Sequence, residues 1–144
     1  MEDKIAIQEV MARYNFAIDF GDIEAYMDCF TEDGGFTNIF GSCKGHNALR
    51  QYITERTRER PGHPLRHMML NPIIDVHGDQ ASAKSYFLLF RVVPEPIQLL
   101  TTGCYKDELY KKGGAWRFSH RQVEFDSTAW ARQVFPSSYL GKEI

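Results

Sequence analysis

From Arg66 to Phe125 the sequence reads RHMMLNPIIDV, HGD, QASAKSYFLLFRVV, PEPI, QLLTTGCYKDELY, KKGG and AWRFSHRQVEF. Four segments rich in aliphatic and aromatic residues, Arg66–Val76, Gln80–Val93, Gln98–Tyr110 and Ala115–Phe125, are cut by the turn formers His77-Gly78-Asp79, Pro94-Glu95-Pro96 and Gly113-Gly114. That spacing predicts a meander of antiparallel strands. Each is about a dozen residues, against the usual five or six, and a strand of that length in a small domain bends, commonly at a bulge.

Upstream the texture changes. Between Ile5 and Ile18 the residues Ile7, Val10, Met11, Tyr14, Ala17 and Ile18 recur at spacings of three and four, one stripe of an amphipathic helix. Gly21 ends it, and Asp22 is placed to cap a short second helix with Tyr26, Met27 and Phe30 on one face. Thr31-Glu32-Asp33-Gly34-Gly35 reads as a turn cluster before a short strand, Phe36 to Phe40. A third helix starts after Gly45, buries Leu49, Tyr52 and Ile53, and cannot pass the residue before Pro61. Helices first and antiparallel strands after predict an α+β layer, with one strongly curved sheet closing over three helices on its concave side. No repeat, linker or low-complexity tract divides the chain, so residues 1–144 read as a single domain.

The chain has 144 residues, 43% hydrophobic and 13% aromatic, which supplies a core and excludes intrinsic disorder. Its 17 Lys and Arg against 19 Asp and Glu leave a formal charge of −2, and no basic run exceeds Lys111-Lys112. Neither nucleic acid nor an anionic membrane is an expected partner. No apolar run approaches the roughly 18 residues of a membrane span and no signal-peptide core opens the chain, so the expected address is cytoplasmic. Lys106-Asp107-Glu108-Leu109 spells a retention signal that is read only at a C-terminus. Cys29, Cys43 and Cys104 fit neither a disulfide framework nor a zinc site and read as buried thiols. No HExxH, His-x-His or paired-cysteine pattern occurs, and His46, His63 and His77 fall in loop contexts without partner spacing, so no metal is expected. No glycine-rich phosphate loop occurs, and no cofactor is expected.

The element order and several strings resemble the SnoaL-like branch of the nuclear transport factor 2-like superfamily. These are Ile7–Phe30, the turn Thr31-Glu32-Asp33-Gly34, the helix start at Gly45, His67–Val76 followed by Gly78-Asp79-Gln80-Ala81, Gly103–Leu109, and Gly114-Ala115-Trp116-Arg117-Phe118. The resemblance implies a cone-shaped fold that hosts dehydratases, isomerases, hydrolases, oxygenase small subunits and non-catalytic binders. Similar chains in that superfamily include small lyases of the scytalone dehydratase, bile-acid dehydratase and dehydrochlorinase types. In these an acid ends the first helix and a histidine opens the first long strand, positions that fall on Asp19 and His67. A tyrosine five residues before the acid falls on Tyr14. The resemblance also implies a homodimer formed through the sheet face, with Trp130, Val134, Phe135 and Tyr139 available to drape over a partner.

Elimination or enolisation needs a base for a carbon-bound proton and a donor for the departing or developing oxygen. His67 is the candidate base, because an imidazole of ordinary pKa about 6.5 is largely neutral at pH 7. Asp19 is the candidate orienter of its ring, and Tyr14 the candidate donor. Each also has an ordinary structural explanation: a core aromatic, a helix-terminal acid bonding nearby backbone, a satisfied strand histidine. Five residues place Asp19 about 140° around the helix from Tyr14, so both border one pocket only if it sits over the helix end.

Strand alternation puts Met69, Asn71 and Ile73 on the face of His67, and Met68, Leu70 and Ile74 on the other. In the last strand Trp116, Phe118, His120 and Gln122 share a face opposite Arg117, Ser119 and Arg121. Met69, Asn71, Trp116, Phe118, His120 and Arg121 are the expected substrate contacts; His120 reads as a second proton carrier or a solvated strand histidine, and Arg121, on the opposite face, as a carboxylate clamp or one half of a structural pair. Phe87, Leu89, Phe90, Leu99 and Leu100 read as core or pocket wall. The expected function is a cofactor-independent dehydratase, lyase or isomerase acting on a small, largely apolar, cyclic or polyketide-like molecule. The alternatives are a non-catalytic ligand-binding or oxygenase-small-subunit-like dimeric module, and an epoxide hydrolase built on an Asp-Arg-Asp arrangement that uses Arg121.

Overall fold

The computed structural model describes residues 1–59 and 64–134, without the side chains of 132–134. Helix α1 (Glu2–Phe20) buries Ile7, Val10, Met11, Tyr14, Asn15 and Ala17 and ends at Gly21, whose φ of 69° is the left-handed turn that a glycine makes without steric cost. Asp22 caps α2 (Ile23–Asp28), its Oδ1 accepting from the Ala25 N–H at 3.0 Å. The chain continues through β1 (Phe30–Asn38), β2 (Gly41–Lys44), α3 (His46–Arg58), β3 (Leu65–His77), β4 (Gln80–Arg91), β5 (Gln98–Lys112), β6 (Ala115–Phe125) and α4 (Ala129–Val134).

The six strands form one curved sheet in the order β2-β1-β6-β5-β4-β3, antiparallel throughout except for the parallel pair β1–β6. The core lies between the helices and the inner sheet face. There the Tyr14 ring meets those of Tyr26, Phe30, Phe36, Tyr105 and Phe118 at centroid distances of 5.3 to 6.4 Å. The α+β architecture expected from the sequence is the one observed.

Several local expectations are corrected. The Thr31–Gly35 cluster is not a turn; it lies inside β1, where the register against β6 shifts between Phe30 and Gly35. Of the three cysteines only Cys29 is buried, Cys43 and Cys104 being half-buried. His46 opens α3 and His77 closes β3, whereas His63 lies outside the described residues. Leu99 is exposed, while Phe87 and Leu89 are core. Trp130 does not drape outward: it is buried, its ring 5.2 Å from that of Phe125 in the same chain. The side chain of Val134, and Phe135 and Tyr139 altogether, fall outside the described residues.

Three bulges matter most for the site. In β3 the pairing with β4 shifts between Leu70 and Ile73, with Asn71 at φ 54°, so Ile74 turns inward and Ile73 outward. In β5 the shift falls at Leu100, between the pairs Leu89–Thr101 and Phe90–Leu99. In β6 the extra residue is Ser119, between the pairs Leu109–Phe118 and Glu108–His120, so Phe118 and Arg121 both point inward. Each inserted residue reverses the alternation of side chains beyond it.

Candidate functional site

A cavity of about 320 Å³ opens over the C-terminal end of α1, within the size range of small-molecule pockets. Its walls come from α1, β1, α3, β3 and the inner face of the sheet, with Phe36, Phe40, Leu89, Val123 and Phe125 supplying apolar surface. Tyr14, Asp19 and His67 all line it. The helix-end position lets Tyr14 and Asp19 border one space despite their angular separation.

Asp19 is the penultimate residue of α1, and His67 the third of β3. The two carboxylate oxygens of Asp19 both engage His67: Oδ1 stands 2.6 Å from Nδ1, and Oδ2 accepts from the backbone N–H at 2.9 Å. The side chains are 6% and 15% exposed respectively, so the contact is shielded from water. A carboxylate facing Nδ1 requires a proton on that nitrogen, which makes Nε2 the ring's basic position when the imidazole is neutral. The second bond, to the main chain of the same residue, fixes the carboxylate as well as the ring.

Burial holds the Tyr14 phenol well above the usual tyrosine range, with the Arg121 guanidinium, 4.3 Å from its ring, pulling the other way. Tyr14 is thus a protonated donor at any physiological pH. Among the described residues its hydroxyl has no hydrogen-bond partner. Tyr105, also in the lining and also pushed up by burial, donates to Asn15 Oδ1 at 3.2 Å.

None of the six expected substrate contacts lines the cavity. Met69 is packed against the core, and Asn71 is exposed in the β3 bulge. Trp116 is buried, its indole N–H donating to Asp3 Oδ1 at 2.8 Å. Phe118 is wholly buried in the aromatic core. His120 is half-buried, with Nε2 3.3 Å from Thr37 Oγ1, on the face that the Ser119 bulge turns away from the interior. Arg121 is fully buried, with Nε and Nη2 donating to Asp107 at 2.7 and 2.8 Å and Tyr14, Tyr105 and Phe118 packed around it at 4.0 to 4.3 Å. Burial alone would lower the pKa of this guanidinium, but the Asp107 carboxylate more than offsets that and holds it above the ordinary value. Arg121 and its acid are accordingly core residues behind Tyr14 and Tyr105.

Sequence reasoning missed Asn38, Tyr52, Arg56 and Arg66, which also line the cavity. Asn38 Nδ2 donates to the Tyr52 hydroxyl at 3.0 Å, and the Arg56 guanidinium lies 4.2 Å from the Phe40 ring centroid. Tyr52 belonged to the expected helix triplet, and nothing in its local spacing separates a pocket wall from a core position. Among the described residues no group of three or more His, Cys, Asp or Glu is placed to hold a metal ion, and no helix is long and apolar enough to cross a membrane.

A curved six-stranded sheet packed on N-terminal helices is the architecture of a nuclear transport factor 2-like α+β protein. The chain belongs to the SnoaL-like domain family, whose sequence profile matches residues 1–122. It is similar to a variant of Rv3472 from Mycobacterium tuberculosis, a protein of unknown function, with 30% identity over 92% of this chain and 76% of that one and a TM-score of 0.78. An NTF2-like protein with a cystatin-like fold from Novosphingobium aromaticivorans is 28% identical over 92% of this chain and 88% of that one, with a TM-score of 0.75. A protein from the same organism, provisionally assigned as scytalone dehydratase, shares the fold at 22% identity and a TM-score of 0.75 over 87% and 85% of the two chains. Among curated proteins none matches the sequence.

Proposed function

We propose that this chain is a cofactor-independent acid–base enzyme, a dehydratase-type lyase or an isomerase, acting in the cytoplasm on a small cyclic or polyketide-like molecule. The observation that carries this reading is the shielded Asp19–His67 pair at the wall of an apolar cavity. Neutral His67 takes a carbon-bound proton at Nε2, and the electron pair of that C–H bond forms a new double bond. In elimination the pair expels a β-hydroxyl that Tyr14 hydrogen-bonds, and this leaves as water with the proton that His67 took from carbon. In isomerisation the pair moves onto a carbonyl oxygen hydrogen-bonded by Tyr14, and the proton returns from His67 to another carbon. Asp19 stabilises the imidazolium between the two steps, as an orienting carboxylate does in a triad. Family membership in SnoaL-like proteins supports the same class of chemistry.

Epoxide hydrolysis through Arg121 is disfavoured, because Arg121 and Asp107 are sealed in the core and neither lines the cavity. The binding-module reading stands as the outcome of the test. On a panel of hydroxy and keto polycycles, His67→Ala is expected to lower kcat by about 10²- to 10⁴-fold with circular dichroism and ligand affinity retained. Ring ¹⁵N shifts are expected to report a proton on Nδ1 of neutral His67 in the wild type and a redistributed tautomer in Asp19→Asn. Unchanged turnover in His67→Ala would refute His67 as the base, and no turnover by the wild type across the panel would leave a ligand-binding or oxygenase-subunit-like module.

A further inference from the structure

The lining of the cavity is more basic than the chain around it. Among the described residues it contains two guanidinium groups, Arg56 and Arg66, and one carboxylate, that of Asp19, whereas the whole molecule carries −2. Asp19 is already committed to His67 through both oxygens. Arg66 is the informative cation. It is half-buried, its Nη1 donates to the Leu65 carbonyl at 2.8 Å, and its Cζ lies 4.8 Å from the centroid of the Phe20 ring. Phe20 itself lines the cavity and is 60% exposed. Among the described residues Arg66 pairs with no carboxylate, and the Leu65 carbonyl is the one acceptor that its five N–H groups meet.

From these observations we infer that Arg66 is a substrate-binding residue that receives a carboxylate carried by an otherwise apolar ring compound. This rests on the proposed reading of the cavity as a substrate site, and adds to it the charge of the molecule that enters. The planar guanidinium fork matches a carboxylate in two parallel hydrogen bonds, and its stacking on Phe20 pre-organises it at little further entropic cost. Arg66 and His67 are consecutive in β3, so alternation sends their side chains to opposite sides of the strand, and the Arg66 head reaches the cavity at the ring of Phe20, the residue after Asp19 in α1. A carboxylate held by Arg66 therefore sits at the rim of the cavity whose wall carries the Asp19–His67 pair. Anchoring at that rim fixes which end of the ring compound is directed toward the base. The apolar walls and Tyr14 then meet the rest of the ring system.

The test uses the whole chain and two nearly isosteric probes, 2-naphthoate and 2-naphthamide, titrated calorimetrically at neutral pH and low salt. Naphthoate is expected to bind at least about ten-fold more tightly than naphthamide, the gain typical of a charge-assisted pair. Arg66→Gln is expected to abolish that preference while changing naphthamide affinity less than about two-fold, and Arg66→Lys to restore part of it. Equal affinities in the wild type overturn the inference, as does a preference that survives Arg66→Gln and disappears instead in Arg56→Gln. Binding of neither probe overturns it together with the cavity's role as a ligand site. The two readings fail separately. A lost naphthoate preference in Arg66→Gln beside unaffected turnover in His67→Ala keeps the anion site and removes the acid–base chemistry, while the converse removes only Arg66.

Discussion

Single residues in this molecule are set apart by how burial treats their protons. The phenols of Tyr14 and Tyr105 are pushed upward by loss of water, which makes them permanent donors, and the Cys29 thiol is pushed up to about 11 in the same way. Cys29 Sγ donates to the Ala25 carbonyl oxygen at 3.3 Å, a bond available only to the protonated thiol. The stability it contributes is therefore complete below the ordinary thiol value of 9.0 and lost as pH climbs toward about 11, because the unfolded chain releases this proton first. Two pKa units correspond to about 2 to 3 kcal/mol at most. Urea unfolding of the wild type and Cys29→Ala at about pH 8 and about pH 10.5 reads this term directly. The wild type is expected to lose more stability between the two pH values, since the cavity left by alanine costs the same at both. Buried tyrosines act equally in the two proteins and cancel. Parallel losses would refute the assignment.

Pairs of strands, rather than single residues, decide what faces the cavity. The long meander, the capped helices and the stripe of α1 were legible because each follows from local chemistry: apolar period, Asp22 at a helix start, glycine at helix and hairpin turns. Tyr14, Asp19 and His67 were singled out by the family resemblance, which put the acid at the end of a helix and the histidine at the opening of a strand, and the three line one cavity. The substrate contacts expected at Asn71, His120 and Arg121 were misplaced because the insertions near Asn71 and at Ser119 reverse side-chain parity and are invisible to a period-two count, while Met69, Trp116 and Phe118, ahead of the insertions, pack into or against the core rather than the cavity. Asp107 was passed over inside a strand, although its opposite number across the ladder is Arg121. That cross-strand pair ties β5 to β6 just beyond the bulge, with both side chains fully buried. Removing one partner strands the other charge in the core, so Asp107→Asn is expected to destabilise by about 3 to 5 kcal/mol in denaturant unfolding. A loss under about 1 kcal/mol would mean that the three surrounding rings alone suffice to hold the guanidinium.

For the whole molecule, the outer face of the sheet poses the remaining question. Met68, Leu70 and Tyr86 are 54%, 42% and 59% exposed, and Met68 pairs with Leu88 while Leu70 pairs with Tyr86, so they form one continuous patch on β3 and β4. Ile73, turned outward by the β3 bulge, extends it to 56% exposure at the sheet edge. Contiguous apolar surface of this kind marks an interaction site, and a net charge of only −2 opposes self-association weakly. The occupant we propose is a second copy of the chain, joined about a two-fold axis that lays this patch on itself. The wild type is then expected to elute with light scattering at about twice 16.6 kDa, and Leu70→Glu combined with Tyr86→Glu to elute near 16.6 kDa. The patch and the cavity lie on opposite faces of β3 and β4, so the double variant is expected to keep naphthoate affinity per chain. A monomeric wild type, or a variant that still dimerises, would overturn this assembly. A monomer that has also lost ligand would instead place the interface in control of the site, through the edge strand that carries Arg66 and His67.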